Sequence, residues 1–111
     1  MTSVFLFVRL LLVPGTFKLS HKESVILALL VQEDEMYGLQ LVAASKRRLK
    51  RGTVYVTLGR MEDKGYITSR FEDPPADAGG LPRRLYRATP LGRRVQQAWA
   101  HVARLVPEFG R

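Results

Sequence analysis

No helix and no interior strand can run through Asp73-Pro74-Pro75-Ala76-Asp77-Ala78-Gly79-Gly80-Leu81-Pro82. Its prolines fix φ and remove backbone donors, and its glycines leave the chain unrestrained. On either side lie runs with β-branched and aromatic character, Ile67 to Glu72 and Arg83 to Thr89. Two such runs separated by an obligatory loop predict a β-hairpin with a long tip. From Ser20 to Lys64 and again after Thr89 the chain is mainly of helical periodicity.

Ser20-His21-Lys22-Glu23 has the Ser-x-x-Glu form of a capping box, in which each side chain satisfies an N–H left unpaired in the first helical turn. A first helix therefore starts there, with Val25, Ile26, Leu29 and Leu30 at helical spacing, and the acidic cluster Glu33-Asp34-Glu35 closes it. Tyr37-Gly38 opens a second helix over about 39–46, ended by Lys46-Arg47-Arg48, cations suited to the negative end of the dipole. Residues 49–52 read as the connecting turn. A third helix over 53–64 has Val54, Leu58 and Met61 as its core stripe and stops at Gly65. Thr89-Pro90 is an N-cap followed by a first-turn proline, after which Leu91, Val95, Ala98, Val102 and Leu105 keep helical spacing. Three helices, a hairpin and a last helix make a mainly α fold with a small β-hairpin. That is the order of a winged helix-turn-helix DNA-binding domain, whose third helix can enter a major groove while the hairpin flanks it.

A chain of 111 residues that is 46% hydrophobic supports one core. The organisation expected is an apolar N-terminal extension at 1–18, a winged-helix domain at 19–89 and a C-terminal dimerisation helix at 90–111. The apolar run from Val4 to Val13, broken by Arg9 and ended by Pro14-Gly15, is too short to cross a membrane and lacks the marks of a secretory signal. It is either a segment that packs on the body or a second subunit, or an over-extended start.

With 18 Lys and Arg against 10 Asp and Glu, the net charge is +8, a field that attracts polyanions: nucleic acid, an anionic membrane surface or an acidic protein. Charge alone does not choose among them. The absence of Cys excludes disulfides, thiol catalysis and thiolate metal sites, and fits a reducing cytoplasm. His21 and His101 are not spaced with a carboxylate as a metal pair or triad would be. No metal, cofactor or catalytic site is expected, and an enzyme is the least favoured class.

At 100° per residue, Thr53, Thr57, Arg60 and Lys64 form one polar stripe beside the apolar stripe of the third helix. Arg60 can donate two hydrogen bonds to a guanine edge, and Thr57 can bond a phosphate or touch a thymine methyl. Thr53, at the helix start, suits a phosphate. Lys64 reaches a phosphate or only solvent. Tyr55 either directs its hydroxyl to a phosphate or simply packs, and Gly59 either permits close approach or is merely tolerated. The stripe alone is also what an ordinary solvated face looks like. Its flanks argue otherwise: Lys46, Arg47, Arg48, Lys50 and Arg51 crowd the turn before it, and Arg83, Arg84 and Arg87 lie on the wing strand. Cations on both sides of one helix are what phosphate contacts across a groove need.

From about Leu19 to Trp99 the chain resembles the PadR family of transcription regulators. The residues that carry this are Ile26-Leu27-Ala28-Leu29-Leu30, Tyr37-Gly38, Arg51-Gly52-Thr53-Val54-Tyr55, Leu58, Arg60 to Ile67, Gly79-Gly80, Arg83-Arg84, Tyr86 and Thr89 to Gly92. The resemblance implies a small bacterial, signal- or ligand-responsive repressor that binds double-stranded DNA as a homodimer, mainly through the C-terminal helix. One helix after the wing is similar to the short subgroup. Lys50, where a capping hydroxyl is common, and the apolar residues 1–18 depart from the pattern. The dimerisation residues expected are Leu91, Val95, Ala98, Trp99, Val102 and Leu105. In some relatives an aromatic of this helix lines a pocket for a small hydrophobic effector; for Trp99, packing without a ligand is the alternative. The rival function is a winged helix used for protein–protein contact without DNA. RNA binding would want an exposed aromatic platform that this sequence lacks.

Overall fold

The computed structural model describes residues 19–72 and 82–105. The apolar extension at 1–18, most of the loop at 73–82 and residues 106–111 lie outside the described residues. The elements run α1 (His21–Glu33), β1 (Met36–Tyr37), α2 (Gly38–Ala44), α3 (Arg51–Asp63), β2 (Ile67–Glu72), β3 (Arg83–Ala88) and α4 (Pro90–Leu105).

The capping box at the start of α1 forms as its sequence requires: Glu23 N–H donates to Ser20 Oγ at 3.2 Å, and Ser20 N–H to the Glu23 carboxylate at 2.9 Å. The acidic cluster ends the helix, Asp34 taking φ 73° while its N–H donates to the Leu30 carbonyl. The expected hairpin is present, with Ile67 facing Ala88 and Glu72 facing Arg83 in antiparallel register. The sheet is larger than expected by one short strand. Met36 and Tyr37 pair with Tyr86 and Leu85, giving the order β1-β3-β2.

Helix α2 ends at Ala44, earlier than its sequence pattern extends, because Ser45 turns the chain. Its buried hydroxyl donates to the Val42 carbonyl at 2.7 Å and accepts from Leu49 N–H at 3.0 Å, and its carbonyl accepts from Arg48 N–H. Lys46 and Arg47 then take the left-handed conformation, φ 53° and 73°, which costs side-chain-bearing residues about 1 kcal/mol each. The core is built from Ile26, Leu27 and Leu30 of α1, Leu41 of α2, Val54, Leu58 and Met61 of α3, the sheet residues Met36, Ile67, Tyr86 and Ala88, and Val95 of α4.

Thr89 fixes α4 against the sheet. Its hydroxyl donates to the Gly65 carbonyl at 2.6 Å and accepts from Gly92 N–H at 3.0 Å, as an N-cap should. Gly92 seats directly on the Tyr66 carbonyl, where any Cβ would collide with the oxygen. Among the described residues no helix is long and apolar enough to cross a membrane, and no cluster of acidic residues and histidines is arranged to hold a metal.

Candidate nucleic-acid interface

Helix α3 begins at Arg51, with Lys50 as an N-cap that makes no side-chain cap bond, so the expected start at Thr53 is corrected. Residues 51 and 52, read as connecting turn, form its first turn. Thr53 N–H is already bonded to the Lys50 carbonyl at 3.1 Å, as is its hydroxyl more loosely. The unpaired donors at this helix start therefore belong to Arg51 and Gly52 rather than to Thr53.

Val54, Leu58 and Met61 are fully buried, so the register of α3 is the one its apolar stripe demands, and Thr53, Val56 and Arg60 face outward with Thr57 beside them. Thr57 spends its hydroxyl on the Thr53 carbonyl at 3.2 Å, leaving the oxygen lone pairs available. These four line an open groove whose other wall is Ser20, His21 and Lys22 of α1. Nothing in the local sequence marks that wall, since His21 and Lys22 meet α3 only through the packing of the two helices. Val56, 58% exposed, was missed too, although its place opposite the core stripe was computable.

Lys64, the end of the expected stripe, is the C-cap of α3, and its ammonium sits 2.8 Å from the Glu23 carboxylate. Burial alone would raise the Glu23 carboxyl, but hydrogen bonds from Lys64 and Ser20 outweigh it and hold the group below its ordinary value. Tyr55 is half-exposed and lays its ring over Gly38, the face where a Cβ would stand.

The wing arginines separate. Successive strand positions point to opposite faces, so Arg84 shares the face of Ser69, Phe71 and Tyr86, and Arg83 the face of Glu72, Tyr37 and Arg87. Arg84 Nε donates to Ser69 Oγ at 2.9 Å while its guanidinium lies over the Phe71 ring. Ser69 Oγ donates in turn to Glu62 of α3 at 2.9 Å, so this face adjoins the third helix. Arg83 instead pairs with Glu72 at 3.1 Å and covers the Tyr37 ring. Arg87 and Arg93 face Asp34, and Arg70 chelates Glu35 at 2.8 and 2.9 Å, holding that carboxyl below its usual value. The acidic turn thus neutralises cations on the back of the sheet. Among the described residues, Lys46, Arg47, Arg48, Lys50, Arg51 and Arg60 have no ion-pair partner, and all are exposed.

On α4, Val95 is fully buried in its own protomer and Val102 nearly so. Val95 therefore cannot line a surface offered to a second subunit. The structure corrects that expectation, because Gly92 brings this side of the helix down onto α1 and the sheet. Leu91 and Trp99 pack partly buried against the same core, Ala98 is half-buried, and Leu105 is 67% exposed.

Residues 26–98 match the model of the Transcriptional regulator PadR-like family. No curated protein is similar enough in sequence to count as a match. Among solved structures, the chain is similar to a PadR family transcription regulator from hypervirulent Clostridium difficile R20291, with 25% identity, TM-score 0.69 and coverage of 80% of this chain and 93% of that one. It is similar to the circadian clock associated protein Pex from Anabaena, with 25% identity, TM-score 0.56 and coverage of 98% and 93%. It also shares the fold of Bacillus subtilis PadR, solved in complex with operator DNA, at 24% identity and TM-score 0.62, covering 70% of this chain and 45% of that one.

Proposed function

Because this chain belongs to the PadR-like family of transcriptional regulators, we propose that it represses transcription by binding specific double-stranded DNA as a homodimer. Helix α3 enters the major groove and Arg60 contacts base edges. The turn at 46–51 grips one phosphate backbone, and Arg84 on the wing reaches the other. The observation that carries this reading is the partition of charge: acidic side chains neutralise the back of the sheet, while Arg60 and the cations of the turn at 46–51 are left exposed without carboxylate partners. A polyanion that spans the groove supplies the missing counter-charge. The fold shared with Bacillus subtilis PadR, which was solved in complex with operator DNA, supports duplex DNA as that polyanion.

Dimerisation through α4 rests on its amphipathic sequence and on Leu105 and Ala98, which remain outside the protomer core. A dimer of this kind reads two half-sites about 34 Å apart or a multiple of that spacing. Trp99 packs against its own protomer's core, which supports a packing role over an effector-lining one.

The test is the salt dependence of binding to random and selected duplexes. A log-log slope of several units and preference for a selected site are expected. A slope near zero removes the phosphate contacts and favours a winged helix that contacts protein instead.

A further inference from the structure

Opposite its buried stripe, α3 presents a strip almost bare of side chains. Gly52, Val56 and Gly59 recur at helical spacing and, at 100° per residue, fall within about 60° of one another on the side away from Val54, Leu58 and Met61. A Cβ on Gly52 or Gly59 would meet nothing within 4 Å, and neither residue has a positive φ. No close packing and no special backbone conformation within the protomer calls for either glycine, yet each lowers helix stability relative to alanine. Val56, the one side chain on this strip before Asp63, is a β-branched aliphatic 58% exposed to water. Both features make sense against a neighbour that comes very near the helix backbone and offers a small apolar group. Thr53, Thr57 and Arg60 beside the strip, with the unpaired cations before it, require that this neighbour also present hydrogen-bonding edges and negative charge.

The major-groove edge of duplex DNA meets these conditions, and the only aliphatic group its bases show there is the 5-methyl of thymine. We propose that Val56 packs on the 5-methyl group of a thymine, with Gly52 and Gly59 allowing the helix to seat deeply enough for that contact, so that base sequence is read by Val56 together with Arg60. Asp63, next along the strip, carries a carboxylate that phosphates repel, which confines the close approach to the part of the helix before it. The inference rests on the DNA-binding reading above and adds the base feature that is recognised.

The experiment takes a tight-binding duplex selected from random sequence and replaces its thymines one at a time by deoxyuracil, which removes only the methyl group. For the wild-type chain, at least one replacement should weaken binding about fourfold, the worth of one buried methyl-sized group. Val56→Ala should bind the selected duplex more weakly and become indifferent to that same replacement. Gly52→Ala and Gly59→Ala should raise Tm while weakening binding, a combination that a merely tolerated glycine would not give. Indifference of the wild type to uracil at every position, or retained sensitivity in Val56→Ala, overturns the role of Val56 and leaves DNA binding standing. Failure to bind any duplex overturns both.

Discussion

The ammonium of Lys64 lies 2.8 Å from the carboxylate of Glu23, joining the end of α3 to the first turn of α1 across 41 positions of sequence. Glu23 also completes the capping box with Ser20, so one nearly buried carboxylate caps a helix and anchors the end of the helix that carries Arg60. Its lowered pKa means that folding favours the ionised form. That contribution is complete above the ordinary carboxyl value of 4.5 and is lost as the pH falls through and below it. Glu23→Gln should be less stable than wild type by about 1 kcal/mol near neutrality, since Lys64 is 43% exposed and partly screened. The Tm gap between the two proteins should close on acidification; a gap that widens contradicts the pairing. Taking the difference cancels the parallel titration of Glu35.

Gly92 has no room for a side chain, because the Tyr66 carbonyl occupies the place of its Cβ. Gly92→Ala should cost about 2 kcal/mol or more through displacement of α4, despite alanine's higher helix propensity. Thermal melting should show a fall of roughly 8 °C or more for a domain of this size. An unchanged Tm would mean that α4 is not seated on the Gly65-Tyr66 turn.

If α3 reads DNA, Arg60→Ala should reduce discrimination among sites by about 1 to 3 kcal/mol, whereas Arg84→Ala should weaken all sites alike and lower the salt slope by about 1. Arg83→Ala should do little, since Arg83 is paired with Glu72 on the opposite face of the hairpin. Titrations of two unrelated duplexes at several salt concentrations separate the three.

Ser69 links the wing to the third helix by accepting from Arg84 and donating to Glu62. Ser69→Ala keeps every cation, so it should leave the salt slope unchanged while weakening DNA affinity by roughly 1 kcal/mol as Arg84 loses its orientation. A drop in slope matching Arg84→Ala would instead indicate that the wing itself had been displaced.

On α4, Leu105→Asp should dissociate the proposed homodimer without unfolding the protomer, because Leu105 is 67% exposed. Val95→Ala should destabilise the protomer itself by about 2 kcal/mol, its side chain being wholly buried. Sedimentation and chemical denaturation of the two variants distinguish these effects.

Periodicity and caps are local properties, and they were legible. Ser20 and Glu23 define the start of α1, Val54, Leu58 and Met61 set the face on which α3 is buried, and Thr89 begins α4, each through interactions within a few residues. The start of α3 at Arg51 was not legible, because Lys50 supplies no capping side chain and the turn is instead tied by Ser45, a serine unremarkable in sequence. Nor was the groove wall at His21 and Lys22, which meets α3 only through packing.

By itself, then, the sequence determined the order and type of the elements, the stripe each helix buries and the excess of positive charge, since these follow from residue spacing and composition. Only the tertiary structure decided which cations stay unpaired. Lys64, Arg70, Arg83 and Arg87 are matched to carboxylates distant in the chain or across the sheet, while Arg60 and the cations of the turn before α3 are not. It also decided that Val95 belongs to the protomer core. Ion pairing and burial depend on which surfaces meet in space, and no local spacing encodes that.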